Sequence, residues 1–150
     1  MMIYRFAGLS LLVGVLSCSD AVAPQRPISD LAAAREQWRS QNLHTYAFML
    51  QRSCFCVNVD PLYVAVVNDT VVGVIDFETG EAADRSLGMT IDELFAFVQT
   101  AIDRPAQKIR VEYDATKGFP REIEYDGAAQ VADDEVVFSV SDVHPITPQL

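Results

Sequence analysis

Apolar positions recur along this chain at two spacings, and the switches between them predict its elements. In "LAAAREQWRSQ", Leu31, the alanines and Trp38 form an apolar face at helical spacing, with Ser29 or Asp30 placed to cap the first turn. After Asn42 the spacing becomes two. Between Thr45 and Val57, Tyr46, Phe48, Leu50, Arg52, Cys54 and Cys56 share one mostly apolar face, while Thr45, Gln51 and Ser53 lie on the other. "PLYVAVVNDTVVGVIDFETG" then predicts strands over Leu62–Val67 and Thr70–Phe77 around an Asn68-Asp69 turn, because these two residue types tolerate the positive φ of tight hairpins. Gly80 closes the third strand.

The helical spacing returns at "MTIDELFAFVQTAI", where Ile91, Leu94, Phe95, Val98 and Ile102 recur on one face. Thr90 and Glu93 have capping-box spacing, Met89 and Leu94 that of a hydrophobic staple, and Pro105 bars continuation. Three more strands follow. "KIRVEYD" alternates Ile109, Val111 and Tyr113 with charged residues, "ATKG" turns the chain, "FPREIEYD" alternates through Ile123 and Tyr125, and "EVVFSVSDV" supplies the last strand. The fold class is therefore α+β: a helix-β-β-β unit repeated twice, forming an antiparallel sheet with both helices packed on one face, since the fourth and fifth strands leave their other face charged.

The N-terminus carries a different signal. Met1 to Phe6 hold one positive charge, Arg5, and "AGLSLLVGVLS" from Ala7 to Ser17 is almost wholly apolar, the pattern of an export signal. This run is too short to span a bilayer core, which takes ~20 helical residues. Its end, Val15-Leu16-Ser17-Cys18, resembles a bacterial lipobox, so Cys18 is the expected lipidation site and the new N-terminus after cleavage. An ordinary signal peptide that happens to contain Cys18 is the alternative. The lipid, a palmitate-type chain set, would hold the protein on the membrane, because two or three acyl chains anchor stably where one does not. In the lipoproteins this resembles, an aspartate after the cysteine retains the protein in the inner membrane, so the resemblance implies that Ser19 favours the periplasmic side of the outer membrane if the host is Gram-negative. "SDAVAPQRP" reads as a tether. The expected organisation is a signal peptide over 1–17, a tether from Cys18 over 18–27, one domain over 28–145 and a tail over 146–150.

Charge and composition narrow the function classes. The chain of 150 residues is half hydrophobic, which excludes disorder, and its formal charge of −10 repels nucleic acid and anionic headgroups. No G-x-S-x-G elbow, H-E-x-x-H pair, phosphate loop or dinucleotide glycine pattern is present, so no catalytic residue, no cofactor and no metal is assigned. Glu122 and Glu124 sit on one wet strand face, where water gives them no division into acid and base. That exposed face, with Lys108, Arg110, Glu112, Glu122 and Glu124, is the candidate binding surface for an envelope protein partner; the solvated side of a sheet would look the same.

Cys54 and Cys56 are the only thiols left once Cys18 is lipidated. Outside the cytoplasm they can be a disulfide, a pair of inert buried thiols, a metal-ligand pair or a redox centre. Alternate Cα atoms of an ideal strand stand ~6.5 Å apart, near the upper limit of disulfides, so a Cys54–Cys56 bond requires a bulge or bend. Structural zinc motifs usually separate paired cysteines further, and the only histidines, His44 and His144, could meet only if the first and last strand ends lie together. Asp126, Asp133, Asp134 and Glu135 bracket a loop that could hold calcium but lacks an EF-hand pattern, and reads equally as a solvated acidic turn. These readings point to a lipid-anchored cell-envelope protein with a non-catalytic binding or scaffold module. The alternative is a thiol-redox or metal-handling protein centred on Cys54 and Cys56.

Trp38, "YAF" at Tyr46 to Phe48, "CFC", "VNDTVV", "TIDELF", "VEYDATKGFPREIEYD" and "DDEVVFSV" together resemble the bacterial lipoproteins grouped as DUF6174, a domain of unknown function. The likeness runs from about Trp38 to Val143. It implies a small α+β exported domain, often lipid-anchored, and adds no catalytic residue.

Overall fold

A computed structural model describes residues 30–54, 59–104, 108–127 and 135–147. The expected export signal, Cys18, the expected tether, Cys56, Pro105, Asp133 and Asp134 lie outside the described residues, as does the tail beyond residue 147.

Helix α1 spans Leu31–Ser40; the Asp30 carboxylate accepts a hydrogen bond from the Ala32 N–H at 2.8 Å and so satisfies an otherwise orphaned donor. Its inward face is Ala34 and Trp38, both buried. Asn42, at φ 52°, takes the left-handed conformation just beyond the helix and redirects the chain into a strand. Strands β1 (Tyr46–Cys54), β2 (Val59–Val67) and β3 (Thr70–Asp76) form an antiparallel meander. Asn68 and Asp69, at φ 48° and 60°, make the two-residue turn with both central residues left-handed that matches strand twist.

From Asp76 the chain folds back on β3. Gly80, at φ 72°, turns it; Ala82 bridges Ile75; a 3-10 turn at Arg85–Leu87 follows, capped by Asp84. Helix α2 (Ile91–Asp103) opens on the full capping box, with the Thr90 N–H donating to Glu93 at 2.7 Å and the Glu93 N–H to Thr90 at 3.1 Å. Ile91, Leu94, Phe95 and Val98 are buried as their spacing predicts. Ile102 is not: it stands 52 % exposed, and Ala101 takes the inward place. The spacing of three after Val98 leads to Ala101, which leaves Ile102 on the flank facing α1.

Strands β4 (Lys108–Tyr113), β5 (Pro120–Asp126) and β6 (Val136–Pro145) complete one six-stranded antiparallel sheet in the order β3-β2-β1-β6-β5-β4. The architecture is α+β. The two three-stranded halves join where the first strand pairs with the last, from Tyr46 opposite Pro145 to Cys54 opposite Val136. Asp142, at φ 56°, sits in the irregularity of that ladder between Ala47 and Met49.

One cluster of buried side chains unites both helices with a single face of the sheet: Trp38 from α1, Leu94, Phe95 and Val98 from α2, and Tyr46, Phe48, Leu50, Val64, Ile123 and Val140 from the strands. Trp38 meets Tyr46 and Phe119 edge-on at ring distances of 5.3 and 6.4 Å. Truncating an aromatic in such a core costs about 3–5 kcal/mol. Two polar groups are woven into it. The Tyr46 hydroxyl accepts from the Ile91 N–H at 3.1 Å, and burial pushes its own ionisation far up, with that hydrogen bond opposing. Arg35 of α1 donates to the Phe95 carbonyl at 3.0 Å and lies over the Phe95 ring, tying the helices together.

Candidate functional site

With the core on one side, the opposite face of the sheet carries the alternate residues of each strand. In β4 and β5 these are the charged positions. Arg110 stands opposite Glu124 and Glu112 opposite Glu122 in the ladder, so the predicted surface residues do come together on adjacent strands. Alternation forces this: Ile109, Val111 and Ile123 turn to the core, and their neighbours must turn away.

The charges are already engaged with one another. Glu124 accepts from Lys108 at 3.0 Å and Arg110 at 2.8 Å, and these contacts, the Lys108 ammonium first, hold its carboxyl below the usual range. Glu112 accepts from Arg110 and from Arg121, each at 2.5 Å. Glu112 and Glu122 face each other as like charges, and the two guanidiniums on Glu112 offset that repulsion. Arg121 is the member that the sequence pattern did not single out. It precedes the alternation that begins at Glu122, and the ladder irregularity between Glu112 and Tyr113 brings it into reach.

Across β6 and β1 the outer face becomes small and polar, with Val137, Ser139, Gln51 and Ser53 in register, and across β2 and β3 it becomes less charged still, with Tyr63 opposite Ile75 and Ala65 opposite Gly73. Ile75 and Val72 are each about two-fifths exposed, and Phe77, just past β3, is more so. On the helical side, Leu31, Arg35, Gln99 and Ile102 line an open groove of about 570 Å³ between α1 and α2.

Cys54 is the last residue of β1, opposite Val136, and half-buried on the core-facing side of the alternation. Its sequence neighbour Cys56 lies outside the described residues. The ladder between β1 and β2 shifts register between Leu50 and Arg52, so this end of β1 departs from an ideal strand. His144 lies opposite Ala47 in β6, so the first and last strand ends do lie together. The imidazoles take other partners: His44 Nδ1 is 2.8 Å from Asp69, and His144 Nδ1 is 2.6 Å from the Asp142 carbonyl. Among the described residues, no group of three or more His, Cys, Asp or Glu side chains could hold a metal ion. Among them, too, no helix is long and apolar enough to cross a membrane.

Three aspartates shape the connections. Asp76 accepts from the Thr79 N–H at 2.8 Å and the Glu78 N–H at 3.0 Å, and Asp84 from the Ser86 N–H at 2.9 Å; these bonds hold both carboxyls below the usual range. Asp114 caps the β4–β5 turn. Burial acts to raise its pKa, but hydrogen bonds from the Thr116 hydroxyl and the Lys117 and Thr116 N–H groups bring it below the usual range. That turn is docked on α1, where Gln37 donates to the carbonyls of Ala115 and Thr116, and Lys117 reaches the Val143 carbonyl.

No curated protein and no solved structure matches the chain. The profile of a family of unknown function, DUF6174, matches residues 30–145, which is most of the chain and takes in both helices and all six strands. The chain belongs to that family.

Proposed function

We propose that this DUF6174 protein is exported, lipidated on Cys18 and held at the cell envelope, where its folded module works as a non-catalytic binding or scaffold unit. The observation that carries the reading is the cysteine itself: "VLSC" stands directly behind an apolar export segment, and a short proline-bearing stretch separates it from the first helix at Leu31. A tether of that length lets the domain present its surfaces away from the bilayer. Metabolic labelling with a palmitate analogue tests the anchor. Label is expected in the wild-type chain and not in Cys18→Ser; an unprocessed Met1 terminus in the cytosol overturns the reading.

The docking surface we assign is the outer face of β4 and β5, with Lys108, Arg110, Glu112, Glu122 and Glu124. Its support is geometric, because ion pairs join Lys108, Arg110, Glu112 and Glu124, with Arg121, in a pattern of alternating charge, and Glu122 stands opposite Glu112 beside them. Crosslinking in intact cells, comparing wild type with Arg110→Glu, is the measurement. Loss of one specific adduct in the variant supports the surface, and an unchanged adduct pattern removes it.

For the cysteines we propose a local Cys54–Cys56 disulfide that fixes the departure of the chain from β1. The register shift upstream of Cys54 supports it, since a bend shortens the span that an ideal strand leaves too long. A ring this small constrains the unfolded chain little, so its contribution is to local geometry more than to stability. Intact non-reduced mass spectrometry expects the mature protein two hydrogen atoms light; retained metal in native spectra favours the metal-handling reading instead, and alkylation of both residues without reductant defeats the staple.

A further inference from the structure

We propose that β4 is a self-complementary edge through which two copies of this chain pair, antiparallel and about Val111, to continue the sheet across a two-fold axis. β4 is the last strand of the sheet and, among the described residues, pairs with β5 alone. An exposed edge of this kind is a template for another strand. The occupant follows from the strand's own sequence. Pairing about Val111 sets Arg110 opposite Glu112 of the second copy and Glu112 opposite its Arg110, draws Lys108 toward Asp114, and lays Ile109 against Tyr113.

Shifting the axis to Arg110 would set two guanidiniums face to face, and shifting it to Glu112 would set two carboxylates face to face. A shift to any intermediate position would place charged residues of one copy opposite core-facing residues of the other, because neighbouring side chains alternate between faces. Only the Val111 register keeps every opposed pair of β4 either apolar or of opposite charge. The inner side gains as well: Ile109, Val111 and Tyr113 are only half-buried at the rim of the core, and their counterparts from the second copy would continue the core past that rim. The outer-face network already orients Arg110 and Glu112, so little side-chain freedom remains to be lost on pairing.

The test uses the full-length chain in mild detergent with an introduced cysteine as a trap, the otherwise wild-type chain setting the baseline. Under mild oxidation, Val111→Cys is expected to give a covalent dimer, because position 111 faces itself across the axis. Lys108→Cys is expected to give none above baseline, because its counterpart lies about 20 Å away at ~3.3 Å per residue. In the Val111→Cys background, Arg110→Glu alone or Glu112→Arg alone should each lower the dimer yield roughly tenfold by opposing like charges twice per dimer. Mixing the two differently tagged variants should restore the yield as a heterodimer, since each then meets its opposite. A structural role for Arg110 or Glu112 within one chain would not produce that rescue. Equal trapping at positions 108 and 111, no rescue on mixing, or an adduct to a different protein in place of the dimer each overturns the proposal.

Discussion

β3 and β4 are both outermost strands of the same sheet, yet they are finished differently. Along β3 the chain returns on itself: the Asp76 N–H bonds to the Glu81 carbonyl, the Ala83 N–H to the Val74 carbonyl, and Ala82 bridges Ile75, so a strap of the β3–α2 connection covers the edge before the 3-10 turn. Among the described residues β4 has no such strap, and what fixes it is the turn at its end, held to α1 through Gln37 and to the Val143 carbonyl of β6 through Lys117. A sheet can thus protect an edge with its own chain or leave it available and hold it from the end. The β3 strategy protects the more apolar strand, whose own Val72 and Ile75 are exposed, whereas β4 alternates charge with apolar residues.

The largest effect expected from breaking this contrast lies at the β4 turn. Gly118 has φ 83°, and a Cβ there would come within 2.5 Å of the Ala34 carbonyl oxygen and 3.0 Å of the Trp38 nitrogen. Both are backbone atoms of a helix that cannot give way. Gly118→Ala should cost about 3 kcal/mol, combining the left-handed strain with the collision, read as a drop in the urea midpoint. Hydrogen exchange should show the loss concentrated in β4, β5 and α1, with the β3 strap keeping its protection.

Gly88 is the corresponding test for the strap. A Cβ there would meet Val74 Cγ2 at 2.7 Å and Val71 Cγ1 at 3.2 Å, which are side-chain methyls on β3 and can shift a little. Gly88→Ala should therefore cost less, about 1–2 kcal/mol. Its distinguishing mark is faster exchange at the Asp76 and Ala83 amides, whose bonds close the strap, while the amides of β5 stay as they are.

Much of this was legible in the sequence. Capping residues, the Asn68-Asp69 hairpin and strict alternation in β4 and β5 are local properties, and each element follows from neighbours within a few positions. The charged face of β4 and β5 was legible for the same reason. Residues 81–88 were not assigned an element, because covering β3 is a relation between a loop and a strand edge that no spacing encodes; the Asp84 cap and the close approach of Gly88 to β3 appear only in the folded chain. Nor could sequence show that the Tyr46 hydroxyl receives the first N–H of α2, or that Arg121 joins the Glu112 network, since both depend on which strand lies beside which. Ile102 was misplaced for a related reason: periodicity fixes a helical face only to within one neighbouring position.

A smaller effect separates the two edges at their aspartates. Asp114→Ala removes the acceptor for the Thr116 and Lys117 N–H groups in a half-buried turn, and should cost about 1 kcal/mol. Asp76→Ala and Asp84→Ala remove acceptors from exposed turns, where water can take their place, so each should cost less than Asp114→Ala. Chemical denaturation of the three variants side by side checks the ranking, and equal losses would mean that the two edges are held alike.

The smallest effect is the pH dependence of these same groups, and its sign is fixed. Asp76, Asp84 and Asp114 all have carboxyls held below the usual aspartate range by the hydrogen bonds they accept, so each ionises more readily folded than unfolded. The unfolded chain then binds more protons in the acid range, and stability rises with pH there. The contribution is complete above the unfolded pKa and is lost as pH falls through the folded one, so the denaturation midpoint should stay level near neutrality and decline below about pH 4. Asn at any of the three positions removes the titration and should flatten the acid decline. Asp114→Asn should do so while hydrogen exchange shows the β4 turn loosening, and Asp76→Asn or Asp84→Asn while it shows the strap loosening instead. If all three variants flattened the decline but loosened the same segment, the two edges would be one cooperative unit and the contrast between them would be one of covering alone.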